Sequence, residues 1–234
     1  MQLVPGSLFE LAEMQSLLGR EWNLVRRRAA LVASGPCLSI APLAGAREHR
    51  ISSHPDLISL HVHENALRGD LHCAPDALPI ESASLQLVVV RHALDALGHD
   101  SGIEAELARV LAPGGALMLF GLNPLSPWRF WWSRRARQGM RVPHCRFAAR
   151  MRHVLAERDL APGRSEFLGG SWPARATSGL LVDEQTSGAI WHGAWLLVAR
   201  KHREGMRAIP LRQASSRVPI NRGLAQSPSR RVSP

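Results

Sequence analysis

Between Leu78 and Pro127 the hydrophobic period of the chain changes twice, and few folds accommodate that change. The stretch reads LPIESASLQLVVVRHALDALGHDSGIEAELARVLAPGGALMLFGLNPLSP. Leu85, Leu87, Val88, Val89 and Val90 form a short run behind the turn-prone Glu81-Ser82-Ala83-Ser84. A run apolar on both faces is what a strand buried in a parallel sheet requires. From Ile103 the spacing becomes helical. Ile103, Leu107, Val110 and Leu111 share one face, while Glu104, Glu106 and Arg109 can face water. Pro113-Gly114-Gly115 stops the helix. Ala116 to Phe120 is a second buried-strand candidate, ending in the turn Gly121-Leu122-Asn123-Pro124. Strand, helix and strand make one βαβ unit, near the minimum length for a right-handed crossover.

A chain of 234 residues with 45% hydrophobic content can bury a full core. Cys37, Cys73 and Cys145 show no CxxC spacing, and an odd count favours a reducing compartment, so a cytoplasmic location is expected. No apolar run approaches the roughly 20 residues of a membrane helix. The start, MQLVPGSLFELAEM, lacks the basic segment and apolar core of a signal peptide.

Taken in order, Leu8 to Arg28 reads as a helix with Leu8, Leu11, Leu17, Leu18 and Trp22 on a broad apolar face. Arg26-Arg27-Arg28 suits its negative pole. A solvated helix end is the ordinary reading of such a run, and a nucleic-acid contact is the alternative. Cys37 to Ala41 is the first strand, Leu57 to His63 the second, and Leu71 to Cys73, starting as early as Arg68, the third. This spacing leaves little room for full crossover helices. Phe147 to Leu160 reads as a helix, Glu166 to Leu168 as a short sixth strand, Leu180 to Val182 as the start of a helical insert and Trp195 to Arg200 as the last strand.

The segment from Leu78 to Pro127 resembles the class I S-adenosylmethionine-dependent methyltransferases, in particular the broad type 11 group. The matching elements are Leu78-Pro79-Ile80, Ser82-Ala83-Ser84-Leu85-Gln86, Val88-Val89-Val90, His92-Ala93-Leu94-Asp95 and Arg109-Val110-Leu111-Ala112-Pro113-Gly114-Gly115. Gly121 to Ser126 is similar to one bacterial branch. The resemblance implies an α/β fold: a doubly wound, Rossmann-like sheet of seven strands, mostly parallel with an antiparallel final strand. It divides the chain into an N-terminal helical extension (1–34), a methyltransferase-like domain (35–202) and a basic tail (203–234).

It also implies S-adenosyl-L-methionine as cofactor, but the cofactor-binding half departs from the family pattern. Leu38 to Gly45 occupies the place of an acidic residue followed by Gly-x-Gly-x-Gly. Gly45 remains, Ala41 and Leu43 replace the other two glycines, and Ser39 replaces the acid. The family's glycines allow close backbone approach to the cofactor, so Leu43 would fill part of its site. Glu64 is the candidate for holding the ribose hydroxyls, since a carboxylate suits a vicinal diol. The family's adenine-contacting Asp falls on Ala74, with Asp76 able to substitute after a small loop shift. Arg91 and His92 would line the pocket mouth. With Asn123 they are the polar groups expected near the reacting centre, His92 as a base or a structural histidine.

Other chemistry is thin. His61, His63, His72 and Cys73 have no second pair at zinc spacing, so no metal site is expected. No Gly-x-Ser-x-Gly elbow and no Walker loop occurs. Trp128 to Arg135, WRFWWSRR, interleaves aromatics with arginines. It reads as a lid whose rings are buried under arginine stems, or as a membrane or nucleic-acid contact. The tail from Arg203 has seven Arg and one Glu, and supplies six of the ten net positive charges. Its composition is that of a disordered segment. It could contact nucleic acid or anionic membranes, or act only as a solubilising tail. Two functions follow: methyl transfer to an unidentified acceptor, or a methyltransferase-like scaffold that has lost the cofactor and serves as a binding or regulatory module.

Overall fold

The computed structural model describes residues 6–45, 51, 53–98, 101–173 and 190–202. The basic tail and the expected insert at Leu180 to Val182 lie outside the described residues. The chain opens with a 3-10 turn, Leu8–Glu10, capped by Ser7, and the helix α1, Ala12–Ala29. The strands β1 (Cys37–Ala41), β2 (Leu57–His63), β3 (Ala66–Gly69) and β4 (Leu85–Arg91) follow. Then come α2 (Ala93–Leu97), α3 (Ile103–Val110), β5 (Leu111–Leu122), α4 (Trp128–Ala136) and α5 (Ala148–Ala156). Three strands close the sequence: β6 (Leu160–Pro162), β7 (Glu166–Leu168) and β8 (Ala194–Lys201).

One eight-stranded sheet runs in the order β3-β2-β1-β4-β5-β8-β6, with β7 also paired to β8. β2, β1, β4 and β5 are mutually parallel, and β8 is antiparallel to β5. The expected doubly wound sheet with an antiparallel final strand is therefore present, with eight strands where seven were expected. The order reverses between β1 and β4, which makes their carboxyl ends the switch point of the sheet.

The third strand needs correction. It is Ala66–Gly69, antiparallel to β2, and not Leu71 to Cys73, of which Cys73 makes only an isolated bridge to Leu67. Glu64 adopts a left-handed φ of 56° at the turn, so the chain folds straight back as a hairpin instead of crossing over. The helix expected to reach Leu160 ends at Ala156, and Leu160–Pro162 pairs with β8. Pro162 is tolerated because this strand lies at the sheet edge.

Each face of the sheet carries its own core. Leu38, Ile40, Val88, Val90, Leu117 and Leu119 pack against α3 and α5. Leu87, Val89, Met118 and Phe120 pack against α1 and α4. The alternation along β4 and β5 fixes which residues reach which face. Leu17, Leu18, Trp22 and Val25 of α1 are all buried, and each contributes roughly 1.5–3 kcal/mol of burial. Trp128 and Trp132 are buried in the same core, with Trp131 packed at its margin. Among the described residues no helix is long and apolar enough to cross a membrane.

Candidate functional site

β4 delivers Arg91 and His92 to the switch point, and α1 lies over them. His92 has a left-handed φ of 51° and begins α2, a conformation that turns its ring back beneath α1. Nε2 is 2.8 Å from Glu21 Oε1 and Nδ1 is 2.9 Å from Asp95 Oδ2, with the three side chains at most 1% exposed. Burial alone would lower the pKa of His92. The Glu21 charge, the hydrogen bonds to both carboxylates and the Asp95 charge outweigh burial and raise it to about 9. The ring is then an imidazolium at neutral pH and donates from both nitrogens. Burial pushes the Asp95 carboxyl upward against the opposing pull of His92, and Asp95 Oδ2 also accepts from the Leu122 amide at 2.8 Å.

Arg91 is fully buried beside this group. It donates to the Leu18 carbonyl at 3.3 Å, and its guanidinium carbon stands 4.7 Å from the Trp22 ring centroid. Leu18 in turn packs on Ala41 at the end of β1, and Phe9 stacks obliquely on the His92 ring at 5.5 Å between centroids. Arg91, His92, Glu21 and Asp95 thus form a buried set of two cations and two carboxylates, closed by Leu18 and Trp22.

The residues singled out from the sequence separate into two groups. Ser39 is buried inside β1, between Ser59 and Val89. Ala41, Arg91 and His92 are buried under α1. Asn123 is buried as well. It donates to the Ile190 and His192 carbonyls at 2.5 and 2.9 Å and accepts from the Leu125 amide at 3.1 Å, tying the end of β5 to the entry of β8. Gly45, Glu64, Ala74 and Asp76 are exposed. Gly45 has φ 71°, and a Cβ there would meet nothing within 4 Å. Asp76 lies against Gly102, 3.0 Å from where a Cβ would stand. Leu43 packs against the second core, beside α1.

Leu18, Glu21 and Trp22 went unnoticed in the sequence as site residues. The available signal was Glu21 itself, a carboxylate on the apolar stripe of α1 that charge patterning would place in water. Asp95, three residues after His92, was visible only as part of the motif. Among the described residues no group of three or more His, Cys, Asp or Glu side chains gathers to hold a metal. Burial pushes the Cys145 and Cys73 thiols upward, away from the reactive thiolate form.

No protein-family model matches the chain, and no curated protein matches it in sequence. Solved structures do resemble it. An S-adenosylmethionine-dependent methyltransferase of Thermotoga maritima is 12% identical with a TM-score of 0.50, covering 83% of this chain and 100% of its own. The fold is that of the class I methyltransferases. An S-adenosylmethionine-dependent methyltransferase of Mesorhizobium loti is 14% identical with a TM-score of 0.48, covering 78% of this chain and 98% of its own.

Proposed function

We propose that this chain transfers a methyl group from S-adenosylmethionine to an acceptor of unidentified class. The observation that carries the reading is the sheet itself. Its order reverses between β1 and β4, and the β4–α3–β5 unit carries the sequence block that resembles the family. We assign the cofactor to the rim of the switch point. Glu64 would take the ribose hydroxyls and Asp76 the adenine amino group, both carboxylates standing in water. Gly45 offers backbone with open space beside it. Ser39, Ala41, Ala74, Arg91 and His92 are not assigned a contact.

The cofactor supplies a sulfonium methyl that needs no further activation, so the protein's task is alignment. Both ring nitrogens of His92 are engaged by carboxylates. As an imidazolium it has no free lone pair with which to act as a base, and we assign it to positioning α1. Asn123 is assigned to holding the loop that leads into β8.

A second reading has its own support. Leu18, Glu21 and Trp22 close the carboxyl ends of β1 and β4, as expected of a scaffold that binds no cofactor. Calorimetric titration of the full chain with S-adenosylmethionine and S-adenosylhomocysteine separates the two. Saturable one-site binding of both is the expected result. Absence of binding to either favours the scaffold.

A further inference from the structure

Leu125, Phe130, Trp172, Ile190 and Trp191 are 50, 62, 56, 43 and 60% exposed. Large apolar side chains scattered singly on a surface need no explanation, but these are gathered by the topology. Leu122 pairs with Ala194 and Leu168 with Ala194, so the segments after β5, after β7 and before β8 meet at the edge formed by these strand ends. Hydrogen bonds fasten them together there. Ser126 Oγ donates to the Trp191 carbonyl at 2.9 Å, the Gly193 amide to Gly170 at 2.8 Å, and Trp128 Nε1 to Gly170 at 3.2 Å.

The charge of α4 and its exit has one sign. From Trp128 to Arg141 the chain contains five arginines and no acidic residue. Arg129, Arg134 and Arg137, on or just after α4, are exposed. Arg129 lies 5.0 Å from the centre of the exposed Phe130 ring, and Arg135 lies 5.4 Å from that of Trp131. Trp128 and Trp132 anchor the helix in the core from beneath. Phe130 is thus mounted on a fixed helix and flanked by cations, and the hydrogen bonds at Gly170 and Trp191 hold the segments of Trp172 and Trp191 beside it.

We propose that this edge docks on the surface of an anionic lipid bilayer. Rings of Trp and Phe settle at the depth of headgroups and upper acyl chains, with arginines meeting the phosphates. Leu125 and Ile190 decide between a bilayer and a nucleic acid. They offer no ring for a base to stack on, yet both add apolar area that acyl chains can take up. The inference stands independently of the methyltransferase reading. It places the carboxyl end of β5, next to the switch point of β1 and β4, on the membrane-facing side.

The test uses the full chain and two vesicle populations, one of phosphatidylcholine and one with about a third replaced by phosphatidylglycerol. Co-sedimentation is expected with the anionic vesicles and to fall as salt rises. Brominated acyl chains in those vesicles are expected to quench part of the tryptophan emission, a readout that needs no substitution. The triple variant Phe130→Ser, Trp172→Ser, Trp191→Ser should keep the wild-type melting curve and bind at least about tenfold more weakly. The pair Arg129→Glu, Arg134→Glu should lose binding at moderate salt. Three results overturn the proposal. One is the absence of binding or quenching in the wild type. Another is undiminished binding by both variants, which moves the contact elsewhere on the chain. The third is a wild type that binds a single-stranded oligonucleotide but no vesicle.

Discussion

Glu21 Oε1 stands 2.8 Å from Nε2 of His92, and this contact joins residues 71 positions apart in the chain. It holds α1 across the end of β4. Both side chains are fully buried, so removing one partner leaves the other's charge buried and uncompensated.

Stability should therefore depend on pH. The pKa of His92 rises from 6.5 to about 9 on folding. A raised pKa means the folded state binds the proton more tightly, so its stabilisation is complete below about pH 6.5, declines across the interval and is gone above about pH 9. The span is on the order of 3 kcal/mol. Thermal melts of the wild type should fall over that range. Glu21→Gln keeps the shape but removes the charge. It should lower stability at pH 6.5 by about 1–3 kcal/mol and flatten the profile. A wild-type melting temperature that does not change between pH 6.5 and 9.5 would contradict the assignment.

Two glycines should respond in opposite directions. A Cβ at Gly121 would lie 2.2 Å from Cζ2 of Trp195. That ring cannot retreat, because its Nε1 donates to the Leu122 and Arg146 carbonyls at 3.1 and 2.8 Å. Gly121→Ala is expected to cost about 3 kcal/mol or more. A Cβ at Gly19, inside α1, would meet nothing within 4 Å, and Gly19→Ala should gain roughly 0.5–1 kcal/mol. Urea midpoints of the two variants give the comparison.

Arg109, in the motif preceding Pro113-Gly114-Gly115, has a structural task. It donates to the Leu78 and Ile80 carbonyls, each at 2.9 Å, to Ser82 Oγ at 2.8 Å, and to both oxygens of Glu106 at 2.7 and 2.8 Å. Glu106 also accepts from the Leu78 amide at 2.8 Å. The arginine thereby fastens the loop that enters β4 to the end of α3. Arg109→Ala should cost about 1–3 kcal/mol, with amide exchange rising first in residues 78–82. Arg109→Lys, which cannot bridge four acceptors at once, should recover less than half.

How much of this was legible in the sequence follows from how local each signal was. β4, α3 and β5 announce themselves through periodicity within about a dozen residues, and the reversed strand β8 through a short apolar run. β3 was misplaced because alternation identifies a strand but not its direction. The left-handed turn at Glu64 decides that, and glutamate is an unusual residue for it. β6 was hidden behind Pro162, which reads as a stop unless the strand is known to lie at an edge. The Glu21, His92, Asp95 and Arg91 group was the least legible. Its members come from α1, β4 and α2, and no pattern along the chain reports that a helix folds back over a strand end. The place of Leu43 in the second core was not legible, because a single leucine in a turn-like stretch carries no periodic signal.

The packing of Leu18 on Ala41 provides a test of whether α1 stands in the way of a cofactor. Leu18 is 1% exposed, so Leu18→Ala should cost about 2–5 kcal/mol of stability. Binding should move the other way. The sequence resemblance sets Ala41 at the position of a family glycine, and shortening Leu18 opens space against it. If S-adenosylmethionine enters there, the variant should bind it several-fold more tightly than the wild type, perceptible by calorimetry at a temperature where both are folded. Equal affinities would mean that the cofactor uses the rim of Gly45, Glu64 and Asp76 alone and that α1 is a passive part of the wall. Binding by neither protein would remove the methyltransferase reading and leave α1 as the closing element of a scaffold.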